Sequence, residues 1–374
     1  MKIWKETLPF HPTHPLTTEY FTEATILFDI ETTGLSPAHT HVYLIGCATR
    51  NHNAIQITQF FAETPKEEPK ILEAFSSMLS HYGISITYNG LGFDIPYLNH
   101  RYAYHCLLGN LDNMKHLDLF RELSKYKTLL KLPDFKQKTL ERFLGLQRND
   151  PYSGKELIEL YSQSLAPSAP NAHTEGSSAT DEPLPSLKQH NYEDVLAMAS
   201  LLSALSYQKL FTGDFQICSV EQNAYQDFEG KDAQELILSL ETAYPLPRRI
   251  SYGSDGIYLT GQGRQIKLSV RIIQAELLHF YPNYKDYYYL PAEGKAIHKS
   301  VASYVDKDYR TAAKASNCYA KKNGCFLPQY QELFTPCFQR AYRGKELYFE
   351  LEGSFLDSFD SQKKYALHLL QHIL

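Results

Sequence analysis

The chain lacks any apolar run approaching the roughly 20 residues that a membrane span requires. Its opening residues, Met-Lys-Ile-Trp-Lys-Glu-Thr, lack the apolar core of a secretion signal. Both absences lead us to expect a cytoplasmic protein with no membrane partner. Cysteine is scarce, six in 374 residues, with no closely spaced pair. Cys318, Cys325 and Cys337 are too irregularly spaced to favour a zinc module, so reduced and mostly buried thiols are expected. No repeat of solenoid period is present. The formal net charge is only −5, and a hydrophobic content of 43% excludes a disordered chain while allowing two domains with real cores. The near balance of charge hides two basic stretches. Residues 115–148 carry nine Lys/Arg against four Asp/Glu, and 241–345 carry sixteen against eight. The first, with Arg121, Lys125, Lys127, Lys131, Lys136, Lys138 and Arg142, reads either as a solvated helical face or as a surface that tracks phosphates.

What is present is more specific. Ile-Leu-Phe-Asp-Ile-Glu-Thr-Thr-Gly-Leu (26–35) ends an apolar strand with Asp29 and Glu31 on one face, opposite Ile26, Phe28 and Ile30. Two carboxylates in one small volume repel unless cations neutralise them, and their oxygens suit Mg²⁺ or Mn²⁺. Taken alone the pair is also an ordinary solvated strand end. Two further strands are expected, at 41–48 and 55–61. After a short β-rich run at 84–88, Asn89-Gly-Leu-Gly-Phe93-Asp94-Ile-Pro96 places Asp94 close to a helix start, because proline is tolerated only in a first helical turn. Asp94 there is either an N-cap or a third carboxylate facing the first two. In His190-Asn-Tyr-Glu-Asp194-Val-Leu, His190 and Asp194 share one helical face beside the apolar stripe Val195, Met198, Ala199 and Leu202.

Together, Asp29-x-Glu31, Asn89-x-x-x-Phe93-Asp94 and Asp194 resemble the three motifs of the DEDD superfamily of 3′-5′ exonucleases on the ribonuclease H-like fold. The His190 to Leu196 run, with Ser153-Gly154-Lys155-Glu156 and the Leu160-Tyr161 that follow, resembles the YprB-type ribonuclease H-like family. The resemblance covers residues 24–206. It implies an α/β fold, with a mixed sheet flanked by helices, and two-metal phosphodiester hydrolysis with Mg²⁺ or Mn²⁺. By that resemblance Asp29 bridges both ions, Glu31 and Asp194 complete the ion that carries the attacking water, and Asp94 serves the second ion. His190 orients or deprotonates the water. It stands four residues before Asp194, where other members carry a tyrosine, which leaves the general base open between His190 and Tyr192. Asn89, Phe93, Arg101 and Asp118 are further candidates for the substrate region, Asp118 equally as a helix start. The implied partner is nucleic acid, with a single-stranded or free 3′ end. A structure-selective endonuclease and an inactive nucleic-acid-binding or scaffold protein on the same fold remain alternatives.

Three regions follow: an N-terminal segment (1–23), the ribonuclease H-like domain (24–206) and a C-terminal α+β accessory module (207–374). The Ser-, Pro- and Thr-rich residues 164–186 read as a flexible insertion. In the module, 243–270 reads as strands joined by a Gly-Ser-Asp-Gly turn and a Gly-Gln-Gly turn, while 296–305 and 310–319 read as helices. Its aromatic cluster, Phe280, Tyr281, Tyr284 and Tyr287 to Tyr289, is expected to pack in the module, with stacking on unpaired bases as the alternative.

Overall fold

The computed structural model describes residues 1–109, 111–165, 183–227 and 229–374. The chain divides into two compact units, Met1–Gln208 with Leu246–Arg248, and Lys209–Pro245 with Arg249–Leu374.

The first unit contains β1 (Lys2–Pro9), α1 (Pro15–Tyr20), β2 (Thr25–Thr32), β3 (Val42–Asn51), β4 (Ala54–Phe61), α2 (Glu68–Leu79), β5 (Ile84–Thr87), α3 (Asp94–Tyr104), β6 (Lys115–Asp118), α4 (Leu119–Leu123), α5 (Gln137–Leu144), α6 (Gly154–Leu165), α7 (Pro183–Leu201) and the first four residues of α8 (Leu205–Thr212). Its six strands run β1-β4-β3-β2-β5-β6. The first four are antiparallel neighbours, and β5 and β6 lie parallel to β2. Residues 2–9, set apart from the domain on the sequence, form the edge strand of this sheet, paired with β4.

Strand β2 is covered on both faces. Ile26, Phe28 and Ile30 pack with Ile71, Leu72 and Phe75 of α2 and with Ile95 and Leu98 of α3. On the other side Tyr43 and Phe61 meet Leu157 and Tyr161 of α6 and Leu187 of α7, the Tyr43 and Tyr161 rings stacking at 4.1 Å. Helix α7 crosses β2, β3 and β4. The face that carries Asp29 and Glu31 is therefore roofed by a helix, and both carboxylates are largely buried. A register shift between Glu31 and Thr32, with Glu31 paired to Leu44 and Thr32 to Val42, interrupts the ladder with β3 at this point, a local kink of the kind that re-aims side chains beside sites. Of the expected insertion, 166–182 lie outside the described residues; Ser164 and Leu165 end α6, and Pro183 begins α7.

The second unit holds β7 (Phe215–Gln226), β8 (Asp232–Ser254), β9 (Ile257–Phe280), β10 (Tyr287–Leu290), β11 (Lys295–His298), β12 (Thr311–Ala312), β13 (Tyr319–Gln329), β14 (Leu347–Glu350), α9 (Gly353–Leu356) and α10 (Phe359–His372). Its sheets are ordered β14-β13-β9-β8-β7 and β11-β10-β12. The Asp255-Gly256 turn appears where the sequence placed it, with both residues at positive φ. The second expected turn does not: β9 runs on through Gly263, which takes a φ of 55° inside the strand. The expected helices at 296–305 and 310–319 are also absent. Residues 295–298 pair with Tyr287–Leu290 across a turn at Gly294, and 311–312 flank the same tyrosine strand. Short apolar spacing without caps cannot separate helix from strand, and here the unpaired edges of β10 decide. Tyr281 stacks on Tyr287 at 4.6 Å, and Tyr281, Tyr284, Tyr287 and Tyr289 pack against Ala296, Ala313 and Cys318. The cluster is packed within its own unit.

All six cysteines are free. Cys47 and Cys318 are buried, but Cys106 and Cys218 are exposed, so the expectation of mostly buried thiols holds only in part. Among the described residues no helix is long and apolar enough to cross a membrane.

Candidate active site

Three elements supply the site. Asp29 and Glu31 come from the end of β2, Asp94 opens α3, and His190 and Asp194 lie one turn apart on α7. Asp94 is buried and does not cap its own helix; its Oδ1 accepts the backbone N–H of Ile30 at 3.1 Å, which ties α3 to the strand between the two β2 acids. Asn191, fully buried, donates from Nδ2 to Asp29 Oδ2 at 3.2 Å while its Oδ1 accepts from Gln59 at 3.0 Å. His190 Nε2 stands 3.1 Å from Asp194 Oδ2 and 3.6 Å from Glu31 Oε1. The donor atoms of Glu31, His190 and Asp194 lie within 4.8 Å of one another, close enough to share one ion.

Behind this cluster is a charged support that the sequence did not reveal. His190 Nδ1 meets Asp150 Oδ2 at 2.6 Å, and Asp150 also receives Lys138 at 2.7 Å and Arg148 at 3.3 Å. Arg148 reaches Asp194 Oδ1 at 2.5 Å and Glu141 at 3.0 Å. Gln137 donates to the Asp194 carbonyl at 2.8 Å. Glu193, on α7, accepts the backbone N–H groups of Asn149 and Asp150, fixing that loop to the helix. Lys138, one of the basic stretch, thus points into the protein. No periodicity in the sequence marks Arg148 and Asp150.

The electrostatics follow from this arrangement. Burial holds the Asp29 carboxyl well above the usual carboxylate range, reinforced by the charges of Asp94, Asp194 and Glu31. Burial also lifts Glu31 to about 7 against the attraction of His190, and Asp94 to about 7 despite its backbone hydrogen bond. Asp194 goes the other way: burial opposes it, but His190 and Arg148 hold it below its ordinary value. His190 is likewise opposed by burial yet raised to about 10 by hydrogen bonds to Asp150 and Asp194, so at neutral pH the imidazole is a protonated donor among acids. Asp150, against its own burial, is kept low by His190 and Lys138. Three carboxylates raised together, chiefly by burial and further by mutual repulsion, fit a cation: positive charge delivered there stabilises their ionised forms.

The remaining sequence candidates separate. Asn89 is exposed in the turn before α3, and the Phe93 ring lies 5.4 Å from Tyr97. Asp118 is buried and accepts four backbone N–H groups, from Asn89, Leu91, Phe120 and Arg121; it caps α4 and pins the turn at Asn89. Arg101 is buried and bidentate on Glu68, at 2.8 and 2.5 Å. The Tyr192 hydroxyl donates to Glu6 at 3.1 Å. The structure therefore brings Asp29, Glu31, Asp94, His190 and Asp194 together and directs Arg101, Asp118 and Tyr192 to other partners.

Residues 26–206 match the family model RNase_H_2 of the RNase H superfamily. The match spans just under half of the chain, and this region has an RNase H-like fold. Solved structures similar to it include a family B DNA polymerase from Pyrobaculum calidifontis, at 15% identity and a TM-score of 0.37, covering 50% of this chain and 25% of the polymerase. E. coli exonuclease I in complex with a dT13 oligonucleotide is similar at 12% identity and a TM-score of 0.29, over 58% of this chain and 54% of that one. An apo nuclease matches at 16% identity and a TM-score of 0.32, over 53% of this chain and 77% of its own. The chain thus spans a quarter of the polymerase and about half of exonuclease I. No curated protein matches it by sequence.

Proposed function

We propose that the chain is a metal-dependent nuclease that hydrolyses phosphodiester bonds, acting as a 3′-5′ exonuclease on single-stranded ends. One observation carries this reading: four acids from three distant segments converge, with the charges of Asp94, Asp194 and Glu31 adding to burial in raising Asp29. Asp29, Glu31, Asp94 and Asp194 would hold two divalent cations, Mg²⁺ or Mn²⁺. Such ions, when bound, neutralise phosphate charge and make water a nucleophile at neutral pH.

The chain's own groups do the rest. Asn191 fixes the rotation of the Asp29 carboxylate, and the Ile30 N–H fixes Asp94. Arg148 holds one Asp194 oxygen and leaves the other toward His190. His190, braced by Asp150, keeps Nε2 toward Glu31 and Asp194, where it orients the reacting water. Asn89 and Phe93, on the turn that precedes Asp94, would meet the substrate strand.

The test uses end-labelled linear DNA, a circular single strand and RNA of matched sequence, with Mn²⁺ or with EDTA. A ladder receding from the 3′ end, abolished by EDTA, is expected. Cutting of circles would mark an endonuclease, and no cutting under any condition would leave only a binding protein.

A further inference from the structure

We propose that His190, on releasing its Nε2 proton to solvent as the metal binds, is itself a ligand of the candidate metal centre through Nε2 in place of the water-orienting role given above, so that the centre binds first-row transition metals through two oxygens and one nitrogen and takes Mg²⁺ only weakly. The inference rests on the metal-dependent reading above and extends it to the identity of the ion.

Three features of the geometry lead there. First, His190 Nε2 is 3.1 Å from Asp194 Oδ2 and 3.6 Å from Glu31 Oε1. Two ligand atoms each about 2.1 Å from one ion stand roughly 3.0 to 3.4 Å apart at octahedral or tetrahedral angles, so the donors already hold separations near those of a shared ion. Second, the ring is buried, and its Nδ1 is tied to Asp150 at 2.6 Å. Asp150 is itself buried and anchored by Lys138 and Arg148 and by the Tyr152 backbone N–H at 3.1 Å. A histidine that ligates a metal typically gives its other ring N–H to a carboxylate in this way, which sets the tautomer and aims the free nitrogen. Third, this bracing restrains the ring from swinging toward a water that lies away from the cluster. A nitrogen donor favours transition metals over Mg²⁺, which prefers oxygen ligands and retains its waters, and within that set Zn²⁺ binds more tightly than Mn²⁺.

The test needs no turnover. The full chain is titrated calorimetrically with ZnCl₂, MnCl₂ and MgCl₂, alongside His190→Ala, His190→Gln and Asp150→Ala, and pulsed EPR is recorded on the Mn²⁺-loaded unmodified protein. Zn²⁺ and Mn²⁺ should bind at least about tenfold more tightly than Mg²⁺. Each His190 variant should lose about 10- to 100-fold in Zn²⁺ and Mn²⁺ affinity with Mg²⁺ changed little, and Asp150→Ala about tenfold. The EPR spectrum should carry a nitrogen coupling. Absence of that coupling together with unchanged affinity in the His190 variants overturns the inference while leaving the nuclease reading intact. Failure of the unmodified chain to bind any divalent ion overturns both.

Discussion

The Asn191 side chain lies on the bare Cα of Gly46, where an added Cβ would come within 1.9 Å of the Asn191 amide oxygen. Gly46 on β3 is also the ladder partner of Asp29 on β2. The missing side chain thus lets α7 approach the sheet closely enough for Asn191 to bond Asp29, and for His190 and Asp194 to face the strand acids. Gly46→Ala should cost about 1 to 3 kcal/mol, the range for overpacking a close contact, and weaken cation binding. Combining it with Asn191→Ala should restore part of the thermal stability. A melting temperature unaltered by Gly46→Ala would show that α7 is not held this closely.

Asp29→Asn should reduce hydrolysis on the order of a thousandfold, as expected when several kcal/mol of metal-borne stabilisation are lost. Its melting temperature at neutral pH should stay the same or rise. The Asp29 carboxyl is pushed well above its ordinary range by burial, so its ionised form opposes folding and a neutral amide removes that cost. Retention of a tenth or more of wild-type activity would refute the assignment.

Tyr192→Phe separates the two candidates for orienting water. The hydroxyl donates to Glu6 on the edge strand β1, so activity should remain within about twofold, because residues two apart on a helix do not face the same way. A hundredfold loss in single-turnover rate would put the phenol back into the chemistry.

Glu68 and Arg101 join α2 to α3 as a buried ion pair, with His105 Nε2 2.7 Å from the same carboxylate. Burial opposes ionisation of Glu68, but the hydrogen bonds from Arg101, His105 and the Val42 N–H prevail and lower its value. A depressed folded value gives stability that is present above the unfolded value near 4.5 and is lost as pH falls through the folded one. Arg101→Met should cost about 3 to 5 kcal/mol in denaturant unfolding at pH 7, since it leaves a buried charge unpaired. The variant should also show a weaker loss of stability on acidification; an unfolding curve that matches wild type at pH 7 would contradict the pairing.

In the second unit, the fully buried Gln329 amide donates to the carbonyls of Phe334 and Tyr348 and accepts the N–H groups of Leu333 and Phe334. Gln329→Leu leaves several backbone groups unsatisfied, each worth about 1 to 3 kcal/mol. Chemical denaturation should show a loss of at least about 2 kcal/mol, and a neutral result would mean that the loop re-forms its bonds elsewhere.

Much of this molecule is readable from local spacing. Asp29 and Glu31 share a face because a strand repeats every two residues, and His190 and Asp194 share one because a helix returns after about four. The Asp255-Gly256 turn carries its own chemistry in its residues. The reading failed where the outcome depends on a partner: 295–298 became a strand because Tyr287 to Leu290 offered an open edge, and residues 2–9 joined the sheet because β4 did.

The same division runs through the site. The acids, their order and the secondary structure beneath them are properties of short windows, and the sequence alone determined those. Tertiary structure alone decided that Asp150, forty residues from His190, meets its ring, that Arg148 reaches Asp194, and that Asn191 rests on Gly46. Backbone periodicity is set by neighbours a few bonds away, whereas these contacts are set by which surfaces exclude water together when the helices close on the sheet.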